Sequence, residues 1–146
     1  MKFFIVILAV VALAYADDGW KVKSADDMKA IRQECLKETP LNEEYIEKLK
    51  NFEYPDEEPV RKYILCSAKK LGIFCEQEGY HPDHVTQQFK LDLDEAEVRA
   101  IAKGCSDRNE QGSSADVWAY RGHKCLMASK VGDRVKDYIK QNVNEA

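Results

Sequence analysis

The sequence lacks an excess of basic residues, which argues against two classes of partner. Lys and Arg total 22 against 26 Asp and Glu, which gives a formal net charge of −4. Nucleic-acid-binding proteins carry basic patches, and anionic membrane surfaces attract basic segments. We therefore expect no nucleic-acid partner and no stable membrane insertion, and we interpret most of the charges as a solvated face.

The chain also lacks the patterns typical of zinc ribbons, thioredoxin-like redox centres and β-sheets. No two of its five cysteines form a C-x-x-C pair, and no sustained period-two alternation is bounded by turn signals. Internal repeats and low-complexity segments are absent. Apolar residues instead recur at helical spacing. We predict an all-α fold, a compact bundle of six to seven short helices.

A long apolar run occurs once, at the start of the sequence. Lys2 supplies a positive charge, residues 3–13 are apolar, and residues 14–16 (Ala-Tyr-Ala) fit a small-x-small cleavage pattern. The run is shorter than the roughly 20 residues that span a bilayer. We predict a secretory signal peptide over residues 1–16 and a soluble, secreted, extracellular domain over residues 17–146.

Residues 61–74 predict the central helix of that domain. Ile64, Ala68 and Leu71 follow one another at i, i+4 and i+7 on one face, and Gly72 stands where the helix would end. Other amphipathic segments precede and follow it, the last near residues 133–144. Helices of this length are marginal alone and depend on tertiary contacts or cross-links.

The cysteines supply such cross-links. They stand at positions 35, 66, 75, 105 and 125, all after the predicted signal, in a compartment where disulfides persist. The odd count leaves at least one thiol unpaired, and spacing alone leaves the pairing open. A disulfide that closes a loop of 20 to 30 residues contributes roughly 3–4 kcal/mol. Two of them could keep open a cavity that an unlinked bundle would fill.

With these features together, the chain resembles the insect odorant-binding proteins, and more narrowly the fly subset that lacks the second and fifth of the family's six cysteines. Cys35 matches the first cysteine, and Cys66, which is followed by the family-like Lys-Lys-Leu-Gly at 69–72, matches the third. Cys105 matches the fourth and Cys125 the sixth. The likeness covers essentially the whole predicted mature domain.

The resemblance implies the pairing Cys35–Cys66 and Cys105–Cys125, and a bundle around an apolar cavity. Lys62 and Asp116 then occupy the positions of the two missing cysteines. Two such positions lie within disulfide reach, a Cα separation of about 5.5–6 Å. Opposite charges there suggest an ion pair, although both side chains could equally point into solvent.

The resemblance also implies a function. Family members carry odorants, pheromones or other small lipophilic molecules through extracellular fluid, which suggests a role in olfaction. Two alternatives stay open: a fatty-acid or lipid carrier in haemolymph or tissue fluid, and a ligand-free extracellular interaction protein. Besides the small hydrophobic ligand, we consider a second copy of the chain, a chemosensory receptor and a lipid donor or acceptor as partners.

The candidate ligand-binding residues are large apolar or aromatic side chains, with one alanine, on the inward faces of the predicted helices. For each of them, ordinary core packing is the alternative. The candidates are Met28, Ile31, Ile64, Ala68, Leu71, Phe74, Phe89, Ile101, Trp118, Leu126, Tyr138 and Ile139.

Cys75 is the free thiol in this pairing, and it has three interpretations: a buried inert thiol, half of an intermolecular disulfide, or a reactive cysteine. His81 and His84 lie nearby with Asp83, residue types that a nucleophile or a metal site would use, but the sequence specifies no such geometry. We predict no enzyme activity, no cofactor and no metal. The histidines, with His123, raise the hypothesis of pH-dependent ligand release.

Overall fold

The computed structural model describes residues 19–143, so the predicted signal peptide lies outside the described residues. Seven helices and one short hairpin occupy this range, which confirms the all-α prediction. In chain order they are α1 (Ala25–Glu38), α2 (Glu43–Lys50), α3 (Glu58–Leu71), β1 (Phe74–Cys75), β2 (Gly79–Tyr80), α4 (Pro82–Phe89), α5 (Glu95–Cys105), α6 (Ala115–Met127) and α7 (Lys130–Asn142).

Local capping chemistry sets where several helices begin. At the start of α1, Ser24 Oγ accepts a hydrogen bond from the N–H of Asp27, and the Asp27 carboxylate accepts one from the N–H of Ser24. Asn42 and Asp94 cap α2 and α5 in the same way, each accepting from a backbone N–H three residues on. These contacts satisfy N–H groups that the first turn of a helix leaves unpaired.

Gly72 ends α3 and lets the start of the described chain pack against it. Its φ of +75° lies in the left-handed region that favours glycine. A side chain at this position would also collide with Trp20, whose indole ring lies 2.7 Å from an ideal Cβ. Trp20 Nε1 donates to the Leu71 carbonyl at 2.9 Å. The described segment before α1 is therefore fixed to the end of α3 at Trp20.

The hairpin was not predicted, because two residues per strand are too few to produce a pattern. Phe74 pairs with Tyr80, and their rings meet edge-on at 5.1 Å. Phe74 also meets the ring of Trp118 edge-on at 5.3 Å. Tyr80 Oη donates to the Ala119 carbonyl at 2.7 Å. The hairpin thus anchors one end of the core against α6.

Two disulfides join the helices in the pairing that the resemblance implies. Cys35–Cys66 links α1 to α3 with a Cα separation of 5.8 Å, and Cys105–Cys125 links α5 to α6 at 5.5 Å. Cys75 is a half-buried free thiol. None of the helices in the described part of the chain is long and apolar enough to cross a membrane.

The ion pair suggested for Lys62 and Asp116, at the positions of the missing cysteines, does not form, and Asp116 has a different cation as its partner. Asp116 pairs with Arg61, whose Nε lies 3.1 Å from its carboxylate, whereas Lys62 pairs with Glu58 at 2.6 Å. Consecutive helical residues point about 100° apart. Arg61 consequently faces α6, and the more exposed Lys62 faces solvent. The prediction of a Lys62–Asp116 pair was wrong.

This pair crosses from α3 to α6 in partly buried surroundings. The side chains of Arg61 and Asp116 are 20% and 15% exposed. Burial acts to raise the pKa of Asp116, but hydrogen bonds from Ser114 and Arg61 outweigh it and hold that pKa below its usual value. The pair is thus a charged link between the helices that carry positions 62 and 116.

Candidate ligand-binding cavity

A cavity of about 210 Å³ lies between the helices. Its wall is mostly apolar and comes from α1, α2, α3, α6 and α7, with single residues from α4, the hairpin and the connections. The apolar wall residues are Met28, Ile31, Leu36, Ile46, Leu49, Phe52, Ile64, Ala68, Leu71, Ile73, Phe89, Leu126, Met127, Val131, Val135, Ile139 and Val143.

Helical spacing explains why these side chains face one space. Ile64, Ala68 and Leu71 form a single stripe along α3, and all three border the cavity. On α7, Val131 and Val135 stand four residues apart and are buried to 2% and 6% exposure. The cavity therefore lies where the apolar stripes of α3 and α7 face inward, with α1 and α2 completing the wall.

The structure puts most of the predicted ligand-binding residues on this wall. The predicted residues that border the cavity are Met28, Ile31, Ile64, Ala68, Leu71, Phe89, Leu126 and Ile139. Their contact with a ligand stays a prediction. A signal for further wall residues was present in α2, because Ile46 and Leu49 share one face of an amphipathic helix.

The other predicted residues lie outside the cavity wall. Phe74 and Trp118 pack edge-on against each other in the main hydrophobic core. Ile101 packs between that core and a second cluster formed by α5 and α7. Tyr138 is half-buried on α7. The aromatic rings of Phe74 and Trp118 fill the core beside the hairpin, which makes them part of the support for the cavity.

Several polar side chains interrupt the apolar wall. Burial raises the pKa of Tyr54, Tyr63 and Tyr80 above the ordinary tyrosine value, so all three hydroxyls remain protonated at neutral pH. The Tyr80 hydroxyl is already bonded to a backbone carbonyl. Arg32 and Lys50 also border the cavity, and the Lys50 ammonium pairs with Glu47 at 3.2 Å.

His123 is the polar wall residue with the most perturbed chemistry. Burial lowers the pKa of its imidazole to about 4, and the positive charge of Lys124 acts in the same direction. Its ring meets the ring of Tyr54 edge-on at 4.4 Å. Within residues 19–143, its Nε2 is the buried side-chain nitrogen that has no hydrogen-bond partner. Nothing in the sequence marked His123 as different from the other histidines.

Away from the cavity, three possible metal ligands meet beside the hairpin. Ligand atoms of Cys75, Glu78 and His81 all lie within 4.8 Å of one another. Of the residues considered from the sequence, Cys75 and His81 come together here, whereas Asp83 pairs with Arg99 and His84 Nδ1 donates to the Gly72 carbonyl at 2.7 Å. The carboxylate of Glu78 is exposed, and none of the three residues borders the cavity.

The fold and the cavity together define a class, the small helical binding proteins in which disulfide-linked helices surround an apolar cavity. The chain belongs to the PBP/GOBP family, whose model matches residues 18–129. This membership confirms the resemblance to the insect odorant-binding proteins.

Two curated relatives are similar over most of their length. General odorant-binding protein 99a of Drosophila melanogaster is 40% identical over 130 residues, which cover 87% of this chain and 89% of the relative. Odorant-binding protein 22 of Aedes aegypti is 31% identical over 142 residues, 97% of this chain and 100% of the relative. Among solved structures, Apis mellifera odorant binding protein 5 has a TM-score of 0.47 and 23% identity, covering 84% of this chain and 94% of that chain.

Proposed function

We propose that this protein is a secreted carrier that binds one small hydrophobic ligand non-covalently in its cavity and transports it through extracellular fluid. The observation that carries the proposal is the cavity of about 210 Å³ with a mostly apolar wall. Family membership supports it, since the relatives are named as odorant-binding proteins. A protein that served only as an interaction partner would have no use for an unfilled interior, which would cost stability.

The driving force for binding is the burial of apolar surface. Each Å² of ligand and wall removed from water contributes about 25 cal/mol, reduced by the cost of ordering the ligand. The Cys35–Cys66 disulfide joins two helices that both line the cavity, α1 and α3. This cross-link limits how far the two walls can separate or collapse, and so preserves the shape that selects the ligand. No covalent or catalytic step is needed.

Secretion is part of the proposal, with the signal peptide over residues 1–16. Two disulfides support it, because such bonds persist in oxidising compartments. The described chain is already fixed to the fold at Trp20, soon after the proposed cleavage point. A second copy, a chemosensory receptor and a lipid donor or acceptor stay predicted partners.

Native mass spectrometry of the secreted protein, combined with displacement of a fluorescent lipophilic probe, tests the proposal. We expect a chain that begins near residue 17, two disulfides and one bound probe. Ala68→Leu fills the cavity from α3 and should weaken probe binding about tenfold, the effect of 1–2 kcal/mol of overpacking. Ala30→Leu makes the same change on the exposed face of α1 and should leave binding unaltered. A wild-type protein that binds no probe would contradict the carrier function.

A further inference from the structure

The unpartnered nitrogen of His123 stands out among the polar atoms of a mostly apolar wall. Buried polar atoms in native proteins nearly always have a hydrogen-bond partner, and each exception calls for a physical account. Leaving such an atom unsatisfied costs about 1–3 kcal/mol. Nε2 of His123 has no partner within residues 19–143, and the residue borders the cavity. A group that arrives with a ligand is the partner this position can receive.

The protonation state of His123 restricts what that group can be. With a pKa of about 4, the imidazole is neutral at physiological pH and carries one N–H and one bare nitrogen. A neutral ring offers no net charge to a carboxylate, and the surrounding wall is apolar. A hydroxyl group both donates and accepts a hydrogen bond, so it can pair with Nε2 in either tautomer. An alkane of the same size offers neither a donor nor an acceptor.

We propose that the imidazole of His123 is the polar anchor of the cavity, and that the cavity selects ligands with one neutral hydroxyl group, an aliphatic alcohol or a phenol, over apolar ligands of equal size that lack it. This proposal rests on the carrier function and names the chemistry of its ligand. Because Nε2 is buried, the proposal requires the ring to turn so that this nitrogen meets the hydroxyl.

The other polar wall groups offer a competing anchor that the experiment must separate. The Tyr80 hydroxyl is engaged by the Ala119 carbonyl, and the Tyr63 hydroxyl is bonded to Ser67. Arg32 and Lys50 are cations at the wall and would favour an anionic head group instead. Tyr54 and Ser67 also line the cavity and carry hydroxyl groups that an alcohol could meet. A carboxylate ligand therefore reports on the cations, and the comparison of alcohol binding with and without the imidazole reports on His123.

The test compares decanol, undecane and decanoate as displacers of a fluorescent lipophilic probe at neutral pH. Decanol and undecane have the same number of non-hydrogen atoms, so they bury similar surface. The cost of removing water from the hydroxyl is the same in the wild type and in His123→Phe, so we define the preference for decanol as the affinity ratio of decanol to undecane relative to that ratio in His123→Phe. One hydrogen bond is worth about 0.5–1.5 kcal/mol, and we expect this preference to be roughly threefold to tenfold. The Nε2 resonance of His123 should shift with decanol and not with undecane.

Matched substitutions assign the preference to one side chain. His123→Phe should lower the affinity ratio of decanol to undecane, and His123→Gln, which keeps a hydrogen-bonding head, should retain part of the preference. His81→Phe makes the same change away from the cavity and should leave the preference intact. An affinity ratio of decanol to undecane that is the same in the wild type and in His123→Phe, or tighter binding of decanoate than of decanol by the wild type, would overturn the proposal. Failure of all three ligands to bind would instead overturn the carrier function.

Discussion

Lowering the pH from about 7 to about 4.5 should destabilise the fold through protonation of His123. Its imidazole has a pKa of about 4 in the folded protein against 6.5 in the unfolded chain. Between these values the unfolded state binds a proton that the folded state does not, so stability rises with pH across this window. The free energy of unfolding is therefore unaffected by His123 above about pH 6.5, and it falls progressively as the pH drops from 6.5 toward 4.

The magnitude follows from the separation of the two pKa values. One pKa unit corresponds to about 1.4 kcal/mol, and the separation of about 2.5 units gives a full effect of about 3 kcal/mol. By pH 4.5 most of this loss should have occurred, roughly 2–3 kcal/mol. Hydrogen bonds from charged partners lower the pKa of several carboxyl groups, for example that of Asp107 beside Arg121, so these groups add to the loss of stability mainly at and below about pH 4.5.

Urea unfolding of the wild type and of His123→Phe, measured at intervals of half a pH unit, checks this. The difference between the two proteins cancels the titration of every group that they share. We expect the wild-type free energy of unfolding to fall by 2–3 kcal/mol more than that of the variant over this range. Parallel curves for the two proteins would refute the reasoning, because they would mean that the imidazole is not buried in its neutral form.

The lowered pKa of His123 also determines whether protonation of this residue could release the ligand. Between about pH 7 and pH 5 the ring of His123 stays neutral, and the other two histidines do not border the cavity. The polarity of the wall should therefore be constant over this interval. We expect the affinity for decanol to change less than twofold between these pH values in the displacement assay, in contrast to the hypothesis of histidine-driven release. A tenfold loss at pH 5 would contradict this prediction.

Three further predictions concern the links that hold the helices. Replacing Cys35 and Cys66 together by serine should lower the free energy of unfolding by about 3–4 kcal/mol in thermal or urea unfolding; a loss below 1 kcal/mol would contradict the loop-closure argument. A double-mutant cycle with Arg61→Met and Asp116→Asn should give a coupling of about 1 kcal/mol that weakens in high salt, whereas a cycle without coupling would mean that the pair contributes nothing. Gly72→Ala should cost more than the roughly 1–2 kcal/mol of left-handed backbone strain in urea unfolding, since its Cβ would also collide with the Trp20 ring; an unchanged midpoint would argue against both effects.

The helical framework was predictable because its signals are local. The apolar stripe on α3, the cap at Ser24 and the glycine that ends α3 each depend on residues within a few positions of one another. The disulfide pairing was not local, and it came from the resemblance rather than from spacing. Once the bundle and its cross-links are known, the inward faces follow, which is why Ile64 and Leu126 were found on the wall.

The features that could not be predicted from the sequence depend on how distant segments of the chain pack against one another. Whether Arg61 or Lys62 faces Asp116 depends on the rotation of α3 about its axis, and an error of one residue changes the partner. Trp118 was expected at the cavity but fills the core, because an unpredicted hairpin brings Phe74 against it. Burial of His123 likewise results from how α6 packs. The periodicity of the sequence does not show which histidine will be buried with a ring nitrogen that has no hydrogen-bond partner.

The stability that the cross-links add is of the same order as the cost of the cavity. A closed apolar cavity costs about 24 cal/mol per Å³, so about 210 Å³ costs about 5 kcal/mol when fully enclosed. Two disulfides that close loops with separations of 31 and 20 residues contribute about 7 kcal/mol together. The cross-links can therefore offset the cost of a cavity of this size. A ligand stabilises the folded state by RT ln(1 + [L]/Kd) whatever the starting stability. An apolar ligand should consequently raise the free energy of unfolding equally in the wild type and in a variant with Cys105 and Cys125 replaced by serine, because neither cysteine borders the cavity. A smaller increase in the variant would mean that this cross-link also preserves the cavity.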